Sequence, residues 1–155
     1  MKPSIVVIGS LNMDFVATVD RLPAPGETVL GRNFQMIPGG KGANQAVAAA
    51  RLGALVKMVG CVGDDAFGQE MRATLAHEGI DTACVSTLPD EATGVALIQV
   101  DAQGQNSIAV ASGANFRLTG AEVEKALQGM DKFEALVMPL ETPLETLTEP
   151  RRVGR

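Results

Sequence analysis

The chain has 155 residues, is 46% hydrophobic and 20% charged, and carries a net charge of −5. That length suits one domain with a sizeable core, and the acidic balance, with a pI near 4.8, argues against nucleic acid or an anionic membrane as a partner. No run approaches the ~20 apolar residues of a membrane span, and Ile5–Ile8 is too short for a signal peptide, so the cytoplasm is the expected compartment. A single histidine, His77, leaves no histidine-based triad and no multi-histidine metal site; it reads as a solvated helix-end residue. The two cysteines, Cys61 and Cys84, lack metal spacing and read as buried free thiols.

In chain order, Ile5-Val6-Val7-Ile8 is a continuous apolar run, as expected of a strand buried on both faces. Ser10-Leu11-Asn12-Met13-Asp14 follows. In open α/β sheets, ligands bind beyond the carboxyl ends of strands, which makes Asn12 and Asp14 candidate ligand contacts. An Asx pair bonding its own backbone is the competing reading. Phe15–Thr18 and Thr28–Met36 are predicted strands around the stiff link Leu22-Pro23-Ala24-Pro25-Gly26-Glu27.

Pro38-Gly39-Gly40-Lys41-Gly42 is a glycine-rich turn that becomes an alanine-rich helix, with Gly53 as its left-handed end. The start of that helix offers unpaired N–H groups and a positive dipole end. A polar ligand pocket is therefore expected there, with Lys41 and Asn44 beside it. A P-loop is excluded because Gly42 follows Lys41. A dinucleotide fingerprint is excluded because Gln45 stands where its third glycine would be.

Leu55–Val62 is a predicted strand, and Gly63-Asp64-Asp65 leads into a helix over Ala66–Glu78, capped by one of the aspartates and ended by Gly79. Catalytic carboxylates are the competing reading of that aspartate pair. Ile80–Val85 begins another strand. Thr93–Val100 and Ser107–Ala111 form a hairpin around a polar loop. Val95, Leu97 and Gln99 share one face of its first strand; Ala96, Ile98 and Val100 share the other. Ser112-Gly113-Ala114-Asn115 reads as a loop. Thr119 and Glu122 match a capping box, and Val123, Ala126, Leu127 and Met130 recur at helical spacing. Ala135–Met138 is a further buried strand, and Glu141 lies beyond its carboxyl end, as either a surface or a ligand-binding residue. Thr142-Pro143-Leu144-Glu145 is a strong helix start that meets Pro150 after seven residues, 143 to 149, before a basic tail.

Gly39-Gly40-Lys41-Gly42-Ala43-Asn44-Gln45-Ala46 resembles the N-terminal signature of the ribokinase-like (PfkB) carbohydrate kinases, and the likeness runs from about Ile5 to Pro143. It implies an α/β fold, the first half of a doubly wound, mainly parallel sheet, within residues 1–146. A small β-sheet lid would come from segments about 15–36 and 93–111. Residues 147–155 diverge, as a truncation or shifted reading frame would make them; a natural short protein is the alternative. The implied reaction is ATP-dependent phosphorylation of D-ribose to D-ribose 5-phosphate, with Mg2+ and a monovalent cation (K+) as cofactors in full-length members. The implied sugar-binding residues are Asn12, Asp14, Gly39, Gly40, Lys41, Asn44 and Glu141, with Ala96 and Ile98 on the lid. No Gly-x-Gly-Asp stretch, the family's source of the catalytic base, follows Glu141. No catalytic, ATP-binding or metal-binding residue is therefore assigned in this chain. Met138-Pro139 departs from the glutamine that often precedes the Leu-Glu pair. The expected partners are a small sugar and a second copy paired through the lid. Two other readings stay open: a non-catalytic sugar-binding or interaction fragment, and a kinase half for another sugar or a nucleoside.

Overall fold

The computed structural model describes residues 2–129 and 132–143. Two four-stranded sheets divide the chain. The first is wholly parallel. It contains β1 (Ser4–Ile8), β4 (Leu55–Gly63), β5 (Asp81–Leu88) and β8 (Ala135–Val137), in the order β5-β4-β1-β8. The second contains β2 (Asn12–Val19), β3 (Gly31–Gly39), β6 (Gly94–Val100) and β7 (Asn106–Ala111), in the order β3-β2-β6-β7. There β2 and β6 run parallel, and each has an antiparallel partner at the sheet's edge. This is the expected α/β class, with a parallel sheet and a second sheet that has as many strands rather than being small.

Burial explains the continuous apolar run of β1. Val7 joins a core with Met58, Met71 and Leu75, beneath α1 (Lys41–Arg51) and α2 (Ala66–His77). Val6 and Ile8 face the other way, into a core with Val59, Val123 and Leu127 beneath α3 (Gly120–Gln128). Both faces of the sheet are thus covered, as a parallel sheet requires. The chain crosses from β1 to β4 and β5, then returns past β1 to β8. Its direction of winding reverses between β1 and β8, which is where ligands gather in such sheets.

The helix ends follow local chemistry. Asp65, not Asp64, caps α2, accepting the Gly68 N–H at 2.8 Å. Thr119 and Glu122 close the reciprocal capping box on α3. Gly53 and Gly79 take φ of +96° and +75° just past their helices. Both glycines lie where an added Cβ would meet open space, so backbone conformation alone calls for glycine there.

Several boundaries differ from expectation. β3 starts at Gly31 rather than Thr28 and runs on through Pro38 and Gly39. An edge strand tolerates a proline because one side needs no ladder donor. β2 starts at Asn12, three residues early, because Asn12 and Asp14 pair on both sides, with Gly39 and Ile37 of β3 and with Gly94 and Ala96 of β6. Cys61 is buried, but Cys84 is only half-buried. His77 is exposed at the end of α2. The helix start expected beyond Pro143, the tail and Met130 lie outside the described residues. Among the described residues, no helix is long and apolar enough to cross a membrane.

Candidate functional site

The switch point is built from three segments. Ser10, Leu11 and Asn12 leave the end of β1, Gly39–Gly42 turn from β3 into α1, and Glu141 follows β8. Close backbone approach makes this possible. A Cβ on Gly42 would lie 2.6 Å from the Gly9 carbonyl carbon, and one on Gly40 2.8 Å from the Ser10 oxygen. Only Gly40 of the glycine cluster has a positive φ, +90°. Gly39 and Gly42 are required by contact, not by conformation.

The expectation of free N–H groups at the start of α1 is corrected. The Lys41 N–H donates to Glu141 Oε2 at 3.3 Å, the Gly42 N–H to Ser10 Oγ at 3.5 Å, and the Ala43 N–H to the Ser10 carbonyl at 3.0 Å. Glu141 thus occupies the place an external anion would take. Its carboxylate also accepts the Ser10 hydroxyl at 2.6 Å and holds the Lys41 ammonium at 2.6 Å. Burial pushes the Glu141 carboxyl upward, but the bonds from Lys41 and Ser10 outweigh it and hold the group below its ordinary range.

Asn12 and Asp14 are not a loop pair bonding their own backbone. They lie on one face of β2, two residues apart. Asn12 is buried, and its Oδ1 accepts the Asn115 amide at 2.7 Å. Asp14 differs: among the described residues, no donor bonds its carboxylate. Burial, and then the charge of Glu141, raise its pKa above the ordinary aspartate value. Gly39 leaves the room this carboxylate uses, since a Cβ there would lie 2.3 Å from Asp14 Oδ2.

The β-strand register settles which face of β6 shares this side. Ala96 is opposite Asp14 and Val110, and Ile98 is opposite Val16 and Ile108. Val110 lines a cavity of about 290 Å³ together with Ser10, Asn12, Asn115, Glu141 and Thr142. Val95, in contrast, faces the core with Met13 and Phe15. Asn44 stands on the first turn of α1 with its side chain exposed, and among the described residues that side chain has no hydrogen-bond partner.

Two residues at the site were not foreseen. Ser10 bridges β1, α1 and Glu141, but a serine after a strand carries no sequence signal of its own. Asn115 falls in a loop by sequence, whereas the structure buries it in a 3-10 turn where it bonds Asn12 from 103 residues away.

The ATP, Mg2+ and K+ implied by the resemblance have no site assigned among the described residues. No group of three or more His, Cys, Asp or Glu among them could hold a metal ion. The glycine-rich turn is filled by the chain's own backbone rather than open to phosphate. A Cys61 nucleophile is also disfavoured, because burial and then Glu122 push its thiol up to about 12.

Comparison with known proteins agrees with this architecture. A ribokinase from Bacillus subtilis is 49% identical over 146 residues, covering 94% of this chain and 50% of that protein. One from Haemophilus influenzae is 47% identical over 144 residues, covering 93% of this chain and 47% of that protein. A structure of Arabidopsis thaliana ribokinase complexed with ribose and ATP superposes with a TM-score of 0.74 at 31% identity, covering 94% of this chain and 49% of that one. The chain spans about half the length of these relatives. Residues 2–151 match the pfkB family carbohydrate kinases, and the chain belongs to that family.

Proposed function

We propose that this chain forms the sugar-binding half of an ATP-dependent kinase that phosphorylates D-ribose to D-ribose 5-phosphate. The observation that carries the reading is the Asp14 carboxylate, half-buried and without a donor among the described residues, beside the buried amide of Asn12. A carboxylate is acceptor-only, and a sugar offers hydroxyl donors. Asp14 would accept two hydroxyls while Ala96 and Ile98 cover an apolar face of the ring. Gly39 and Gly40 let the backbone approach, and Asn44 reaches the sugar from α1. Lys41 and Glu141 act together here: Glu141 closes the helix start, and Lys41 neutralises it. The second sheet is the lid over the sugar. Farther out on the face that carries Met13 and Val95, it exposes Phe34, Met36 and Leu97, which supports pairing with a second copy through the lid.

Transfer would form a bond from a sugar hydroxyl oxygen to the terminal phosphorus of ATP and break the bond to ADP. ATP supplies the phosphoryl group, and no residue described here is assigned to hold it or to take the hydroxyl proton. Isothermal titration with D-ribose tests the sugar assignment. Two charge-assisted bonds at ~1.5–3 kcal/mol each predict that Asp14→Asn weakens binding at least tenfold; an unchanged dissociation constant rules the role out. The chain with ATP, Mg2+, K+ and ribose should release no ADP above a blank. Robust ribose-dependent ADP formation would show that the catalytic centre is here after all.

A further inference from the structure

We infer that Asn115 is a positioning residue that fixes Asn12 as a hydrogen-bond donor toward the ligand; this rests on the sugar-binding reading above. Asn115 sits in a short 3-10 helix, Gly113–Arg117, directly after β7, and is 2% exposed. Its side-chain amide is used up. Oδ1 accepts the Leu11 N–H at 2.8 Å, while Nδ2 donates to the Leu11 carbonyl at 3.1 Å and to Asn12 Oδ1 at 2.7 Å. A flipped amide would set Oδ1 against two acceptors and Nδ2 against a donor. Its orientation is therefore determined by the backbone of Leu11, which cannot flip.

The polarity of Asn12 follows. Its Oδ1 is committed to Asn115, so its Nδ2 is the atom left over. Among the described residues nothing bonds that nitrogen, and Asn12 lines the cavity. Asn12 thus offers donors where Asp14, on the same strand face, offers acceptors. Such a pair suits adjacent hydroxyls, one accepting from Asn12 and one donating to Asp14, and it disfavours a ligand that presents only donors. Gly94 seals the arrangement. A Cβ there would lie 2.3 Å from both Asn115 Nδ2 and Asn12 Oδ1, so only glycine fits beside their hydrogen bond. Asn115 is also tied to the entrance of β6, since its neighbour Ala114 donates to the Ala92 carbonyl at 2.8 Å.

Side-chain amide proton exchange, followed by NMR on the whole chain, reads the orientation without any ligand. The Asn115 Nδ2 protons should exchange slowly and the Asn12 Nδ2 protons quickly; the reverse order, or fast exchange at both, overturns the inference. Asn115→Asp preserves shape but presents an acceptor to Asn12, which should turn its amide over. D-ribose should then bind at least tenfold more weakly by titration. In an Asn12→Ala background the same substitution should cost several-fold less affinity, because only its clash with the Leu11 carbonyl remains. Equal losses in both backgrounds would mark a merely structural residue and overturn the inference. Wild-type chain that binds no ribose while keeping the slow Asn115 protons would sink the sugar reading and leave the amide orientation standing.

Discussion

The carboxylate of Glu141 lies 2.6 Å from the Lys41 ammonium and also accepts the backbone N–H of the same lysine at 3.3 Å, across 100 residues of sequence. One side chain thus ties the end of the parallel sheet to the start of α1. The ion pair itself is exposed on the lysine side, where 67% of the side chain is accessible, so Lys41→Met should cost less than ~1 kcal/mol. Glu141→Ala also strips acceptors from the helix N–H and from Ser10, and should cost roughly 1–2 kcal/mol. Urea unfolding checks the ranking. A lysine variant as destabilised as the glutamate variant would show that the ion pair, not the cap, dominates.

Acid should separate the two carboxylates. Asp14 has a raised pKa in the fold, so its ionised form is disfavoured and it takes up a proton first as pH falls from 7. Its ionisation costs stability at high pH, and sugar binding, which needs the carboxylate, weakens through that same titration. Glu141 has a lowered pKa. Its contribution to stability is present above the unfolded value and is lost only as pH falls through the folded one. Ribose affinity should therefore decline at a higher pH than stability does, measured by titration and by thermal melting across pH 3–7. Coincident losses would contradict the assignment of opposite shifts.

Two glycine substitutions should behave in opposite ways. Gly39→Ala puts a methyl group 2.3 Å from Asp14 Oδ2, so the carboxylate must move, and ribose affinity should fall at least tenfold. Gly53→Ala meets nothing within 4 Å but forces alanine to a φ of +96°. It should lower stability by about 1 kcal/mol and leave ribose binding unchanged. The comparison fails if Gly53→Ala affects binding as much as Gly39→Ala does.

Asp65 joins the start of α2 to the entrance of β6. Its carboxylate accepts the Gly68 N–H at 2.8 Å, the Thr93 N–H at 2.8 Å and the Thr93 hydroxyl at 2.7 Å. Asp65→Ala removes a cap and leaves the buried Thr93 without an acceptor, a loss of roughly 2–4 kcal/mol. Asp65→Asn, which keeps an acceptor, should recover part of it. Equal melting temperatures for Asp65→Ala and the wild type would show that the bonds carry no net stability.

Much of the framework was legible in the order of residues. The unbroken apolar runs at Ile5–Ile8 and Ala135–Met138 read as buried strands because a parallel sheet buries both faces; β1 is so buried, whereas β8, at the sheet's edge and ending at Val137, is exposed at Ala135 and half-buried at Leu136 and Val137. One of Asp64 and Asp65, Thr119 and Gly53 read as helix ends because capping depends on chemistry within a few residues; the structure picks Asp65 of the pair. The glycine cluster and the Asn12–Asp14 pair were visible for the same reason: each is a short pattern.

Tertiary structure decided the rest. Nothing local says that the N–H groups of α1 are taken by Ser10 and Glu141, that Gly39 makes room for Asp14, or that Ala96 rather than Val95 shares a face with Asp14. Those facts depend on strand register and on contacts between residues roughly twenty-five to a hundred positions apart. Asn115 is the clearest case. By itself it is one polar residue in a loop; its role exists only because β7 returns it to the end of β1, where Leu11 and Asn12 satisfy its whole amide. Local sequence dictates which backbone groups need partners, but only the fold brings those partners within hydrogen-bonding distance.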